Sequence, residues 1–205
     1  MRQIRIVPVA VAVLVGLLGC SAAAPPVGNS QSLLVLTDVA AQRVQLADTV
    51  AAAKWGTDTP IDDPVREQAV LDSVAAKSIQ LGIDPVVARA VFTDQIEANK
   101  DVQVGLYSQW RAYPGQEPTT RPGLGDVRPI LDRITDQLLA ELKATQQLRA
   151  EPSCGAQLTG ARQRVERTQH LDSLHAGALA RALTSVCLAS HRGLPGLPRD
   201  SAGVA

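Results

Sequence analysis

Eight residues carry the chemistry of this 205-residue chain. Arg43 and Lys54 stand eleven residues apart. That is close to a whole number of turns at about 3.6 residues each, so a helix puts both on one face. The rest of that face is apolar, with Leu36, Ala40, Ala47, Val50 and Ala51 at steps of three and four. Two cations on a stripe meant for the core are costly unless something anionic meets them. Asp63, Arg66 and Glu67 head a second stripe that runs on through Val70 and Val74. Asn99 and Gln103 are amides one turn apart in a third seam, with Phe92, Ile96, Leu106 and Trp110. Arg128 falls at the head of a fourth stripe made of Val127, Ile130, Leu131, Ile134, Leu138 and Leu142. Inward-facing cations, an amide pair and a carboxylate describe a pocket for a small dianion, because guanidinium forks bind carboxylates through two parallel bonds. Taken singly, each has a plainer role: a solvated charge for Lys or Arg, a register-setting residue for either amide. The joint pattern is what points to a site.

Helices must position these residues. Aromatics are scarce (one Phe, two Trp, two Tyr), so Ala, Val, Leu and Ile build the core, and the fold class is all-α. The first helix runs from Ser32 to Trp55, and Gly56, Pro60 and Pro64 break the pattern after it. Asp62 or Asp63 caps a second helix, with Pro64 in its first turn and Gly82 as its stop. Asp84-Pro85 opens a third that reaches about Trp110. A loop over 112–125 is dense in Pro and Gly; Asp126 then caps a fourth helix to about Arg149, with Pro129 in its first turn. A fifth follows Ser153 to about Gln169, and a sixth spans Leu171 to Ala189.

The N-terminus is an export signal over residues 1–20. Arg2 and Arg5 make a positive start, and Ile6 to Leu18 an apolar run shorter than the ~20 residues of a membrane span. Leu17-Leu18-Gly19-Cys20 resembles a bacterial lipoprotein signal, with lipidation of Cys20; ordinary cleavage after Ala22 or Ala24 is the alternative. The first places the protein in the periplasm or cell envelope on a lipid anchor; the second leaves it secreted. Residues 21–31 read as a disordered tether, 32–190 as the helical domain and 191–205 as a disordered tail. With Cys20 removed or acylated, Cys154 and Cys187 remain as a pair, and an oxidising compartment makes a disulfide the default over two free thiols.

Other chemistries lack their signatures. There is no phosphate-binding glycine loop and no nucleophile elbow. His170 and His175 are five apart and share no helical face, so no metal site is expected. Zero formal net charge and few aromatics give nothing for nucleic acid to bind.

Arginine, lysine eleven on, aspartate nine on, arginine three on and then glutamate (Arg43, Lys54, Asp63, Arg66, Glu67) resembles the AroQ class of chorismate mutases. The run from Phe92 to Gln103, the export signal and the cysteine pair are similar to its exported, gamma subclass, over about residues 33–190. The resemblance implies a six-helix bundle of the type II chorismate mutase kind. It implies the cofactor-free rearrangement of chorismate to prephenate, on the branch toward phenylalanine and tyrosine. Arg43 and Arg128 would then clamp the two carboxylates, and Lys54 and Gln103 would donate to the ether oxygen. Glu67 would accept from the ring hydroxyl, helped by backbone near Asp63. Arg66 would line the wall, and Asn99 would touch a carboxylate. Arg121 and Arg133 are rivals of Arg128 for the late arginine. A homodimer would hold a complete site in each chain. The runner-up is an exported helical module that binds or scaffolds without catalysis.

Overall fold

A computed structural model describes residues 29–187, with side chains from residue 33. The expected export signal, Cys20, most of the tether and the tail lie outside the described residues. Within them every regular element is a helix: α1 (Asn29–Lys54), α2 (Pro64–Leu81), α3 (Pro85–Ala112), α4 (Leu124–Ala144), α5 (Gln146–Arg149), α6 (Cys154–Thr168) and α7 (Ser173–Ala182), with one 3-10 turn at Pro114–Gln116.

The first helix is the axis. It packs against α3, α4, α6 and α7, and so it is buried nearly all round, not along one stripe. Leu33, Leu36, Ala40, Ala41, Val44, Ala47 and Ala51 are all at most 1% exposed. Its many alanines keep the neighbours close. The second helix packs on α3 and α4 rather than on α1, and a gap is left between α1 and α2.

Caps fix the ends where the sequence signals them. Asp63 accepts from the Arg66 N–H at 3.0 Å and Pro64 fills the first helical position of α2. Gly82, at φ +66°, closes that helix, and the next N–H, of Ile83, reaches back to the Ser78 carbonyl at 2.9 Å. Asp84 caps α3 through the Val86 N–H at 2.8 Å.

Three helix boundaries and one buried position need correction. Asp126 is not the N-cap of α4: Gly123 is, and the Asp126 carboxylate reaches back to the Gly123 N–H at 3.2 Å from the third helical position. The helix therefore starts three residues early, and Pro129 moves out of its first turn into the next. The fourth expected helix also divides at Thr145, whose hydroxyl bonds the Glu141 carbonyl at 2.7 Å. Arg149 then takes the Leu142 carbonyl at 2.9 Å, which relieves an end group of α4. Finally, α7 stops at Ala182, not Ala189. Gln95 bonds the Ala182 carbonyl at 3.1 Å, Asp94 accepts from the Ser185 N–H at 2.8 Å and Arg149 bonds the Val186 carbonyl at 3.3 Å, so side chains replace the next helical turn. Ile130, expected in a buried stripe, is 39% exposed, and Thr135 and Leu139 are buried on α4 instead.

Cys154 and Cys187 form a disulfide, with Cα atoms 5.8 Å apart, and tie the start of α6 to the segment after α7. His175 joins α7 to α1: Nδ1 lies 2.7 Å from Asp172 and Nε2 2.8 Å from Asp48.

Candidate active site

Between α1, α2, α3 and α4 lies a cavity of about 380 Å³. All eight residues singled out from the sequence line it: Arg43, Lys54, Asp63, Arg66, Glu67, Asn99, Gln103 and Arg128. Four separate helices and one loop bring them together. Of the three late arginines only Arg128 lines the cavity; Arg121 pairs loosely with Glu117 at 3.8 Å, outside it.

Arg43 sits deepest, at 6% exposure, carried by the central helix. Its Nε and Nη1 are buried and have no hydrogen-bond partner. Its guanidinium carbon lies 5.8 Å from the Phe92 ring centre. Burial pulls its pKa down to about 10, with Asp132 opposing, so the group is still a cation at neutral pH. A buried guanidinium with idle donors is an expensive thing for a fold to keep. An anion reaching into the cavity would satisfy it.

Lys54, on the last turn of α1, directs Nζ to the Pro60 carbonyl at 2.8 Å and the Ile61 carbonyl at 3.1 Å. Two of its three N–H groups thus hold the α1–α2 loop and one is left over. Burial lowers its pKa, while Asp63, Glu67 and Asp62 pull the other way.

Gln103 is 2% exposed. Its amide nitrogen donates to Asn99 Oδ1 at 2.8 Å, and its amide oxygen is buried without a partner. Turning both amides over keeps the bond between them and puts an N–H₂ donor where that lone oxygen stands. The pair can therefore offer either an acceptor or a donor.

Glu67 is held from two sides. Oε1 accepts from the Asp63 N–H at 3.2 Å and Oε2 lies 3.4 Å from Lys100 Nζ. Arg66 and Arg128 are exposed on the cavity walls. Among the described residues, none of Arg43, Lys54, Arg66 and Arg128 makes an ion pair with a carboxylate. Four cations without a carboxylate partner outweigh the Asp63, Glu67 and Asp132 carboxylates that line the same space, and leave it net positive.

Sequence reasoning missed Lys100, Lys77, Asp132 and Thr135, which also line the cavity. Lys100 follows Asn99 directly and falls off the seam, so a one-stripe reading of α3 sends it to solvent. Its partner signal was there, as Glu97 stands one turn before it. The seam reading found Phe92, Gln103 and Trp110, which are buried, but missed Val91, Gln95, Ala98 and Val102, also buried, while Ile96, Asn99 and Leu106 are only half-buried.

A family model described as chorismate mutase type II matches residues 35–104. The chain is 36% identical over 162 residues to the secreted chorismate mutase of Mycobacterium tuberculosis, a match that covers 79% of this chain and 81% of that one. It is 33% identical over 159 residues to the secreted chorismate mutase of Mycolicibacterium smegmatis, covering 78% and 88%. Among solved structures, the chorismate mutase of Burkholderia phymatum aligns with a TM-score of 0.74 at 35% identity, over 78% of this chain and 98% of that one.

Proposed function

The chain belongs to the chorismate mutase family, and we propose that the cavity between α1, α2, α3 and α4 is where it turns chorismate into prephenate. The protein is an isomerase. Its reaction breaks one C–O bond and forms one C–C bond within a single dianion, and no proton, electron or group is exchanged with the protein. Catalysis then reduces to freezing a flexible substrate in its reactive shape and meeting the charge that gathers on the ether oxygen.

The residues divide this work in our reading. Arg43 holds one carboxylate at the base of the cavity and Arg128 the other from α4. Lys54 turns its remaining N–H to the ether oxygen, and the Gln103 amide, flipped against Asn99, supplies a second donor. Glu67 accepts from the ring hydroxyl. Asp63 serves by capping α2 and by lending its N–H to Glu67. Arg66 adds positive charge to the wall, and Asn99 reaches a carboxylate or fixes Gln103. The observation that carries this reading is the buried Arg43 with two partnerless donors.

Arg128 lines the cavity from the same chain as Arg43 and Lys54, which supports the reading of a homodimer with a complete site in each chain. Export is supported by residues 1–20 and by relatives named as secreted. Lipid attachment at Cys20 is the finer form of that reading, supported by Leu17-Leu18-Gly19-Cys20.

Purified protein mixed with chorismate tests the proposal by the product. Prephenate is expected. Pyruvate would mean a lyase, and unchanged chorismate would leave only a binding module.

A further inference from the structure

Lys100 enters the cavity wall from α3 with its side chain 17% exposed. Its ammonium meets three carboxylates from three places. Glu97, on the same helix, is 2.6 Å away; Asp62, in the α1–α2 loop, 3.1 Å; Glu67, on α2, 3.4 Å. Three N–H groups face three carboxylates, so none is left for a ligand. Burial works against this ammonium, but the bonds to Glu97 and Asp62 and the charge of Glu67 more than offset it, and the net shift is upward. Lys100 is therefore a cation that lines a dianion site without being offered to the dianion.

We propose that Lys100 is a positioning residue: it holds the Glu67 carboxylate toward the substrate's ring hydroxyl and pins the loop on which Lys54 depends. The proposal rests on the reading of Glu67 given above. Two restraints act on Glu67, the Asp63 N–H on Oε1 and Lys100 on Oε2, and they fix both ends of the carboxylate. The same ammonium holds Asp62, next to the Ile61 carbonyl that binds Lys54 Nζ. Glu97 is itself braced by Arg181 of α7 at 3.2 Å, so the cluster is anchored in the bundle and not merely in the loop. Without Lys100, three carboxylates would crowd the wall of a site built for a dianion.

The test uses two substrates and three substitutions, two of them also combined. Lys100→Met keeps the length and removes the charge; Lys100→Arg restores the charge; Glu67→Gln removes the carboxylate through which Lys100 is said to act. Lys100→Met is expected to lower kcat/KM for chorismate by about tenfold to a hundredfold, the worth of a hydrogen bond to a charged group. Lys100→Arg should recover most of it. On a chorismate analogue lacking the ring hydroxyl the Lys100→Met loss should shrink to about threefold or less, the part owed to the loop. In the Glu67→Gln background Lys100→Met should add equally little. Equal losses on both substrates, or a full additional loss in the Glu67→Gln background, would overturn the proposal and leave Lys100 as a packing residue. Wild-type protein that left chorismate untouched would overturn the reaction itself, and this failure is separate because it appears before any variant is compared.

Discussion

Replacing Arg43 by methionine should make the protein more stable and nearly inactive. The guanidinium is buried, two of its donors are idle, and burial moves its pKa from the ordinary arginine value down to about 10. A depressed pKa in a base means that the folded state disfavours the proton. The cost is present in full below pH 10 and is relieved only as the pH rises through that value, so at neutral pH the fold carries all of it. At 1.36 kcal/mol per unit it is about 3 kcal/mol, already net of the attraction to Asp132. Methionine fills similar space and removes the charge. It also gives up the contact over Phe92, which we put at about 1 kcal/mol. The net expectation for Arg43→Met is a gain of about 2 kcal/mol, or about 4–8 °C in melting temperature for a domain of this size. Activity moves the other way. Losing one charge-paired carboxylate contact costs about 2–5 kcal/mol, so kcat/KM should fall by about thirtyfold to several thousandfold. Urea or thermal melts beside steady-state kinetics decide the matter. A variant that melts below wild type, or one that keeps its activity, would refute the view that Arg43 is held under strain for a ligand.

Other consequences are as direct. Gln103→Glu must be protonated to donate, so its kcat/KM should fall steadily as the pH rises above the acid range, while wild type stays flat around neutrality; parallel pH–rate profiles check this. His175, between Asp48 and Asp172, has its pKa raised to about 9, chiefly by the bond to Asp48. The stability from this clasp is whole below about pH 6.5 and is lost as the pH rises to about 9. Wild type should therefore lose about 1–2 kcal/mol over that window, and His175→Gln should start lower and show no such slope. Reducing Cys154–Cys187 opens a loop of 33 residues and should cost about 4 kcal/mol in the chain-entropy model. Since the bond lies away from the cavity, molecules that remain folded should keep their turnover, which a melt and an assay with and without reductant will show.

Part of the candidate site was legible because three of its residues broke a local rule. Arg43 and Lys54 stood on an apolar face, and Gln103 in an apolar seam. Such conflicts between residue type and position are visible without a structure. Helix starts at Asp63 and Asp84 were legible too, because a capping carboxylate followed by proline is a local signal. The end of α7 was not, because Gln95 takes the Ala182 carbonyl and Arg149 the Val186 carbonyl beyond it, both from distant parts of the chain. The centrality of α1 was hidden in the same way. A helix buried on all sides shows little amphipathic pattern, so a one-face reading finds only part of its core. Lys100 escaped because its three carboxylates come from two helices and a loop, and only Glu97 is near in sequence.

In this reading catalysis is electrostatic and Lys54 acts on the breaking C–O bond. The most direct measurement is the rate of chorismate loss with prephenate gain for wild type and Lys54→Ala, each checked for fold by its melting curve. Wild type should turn over, and the folded variant should be slower by about a hundredfold or more. A folded Lys54→Ala that keeps the wild-type rate would contradict this reading.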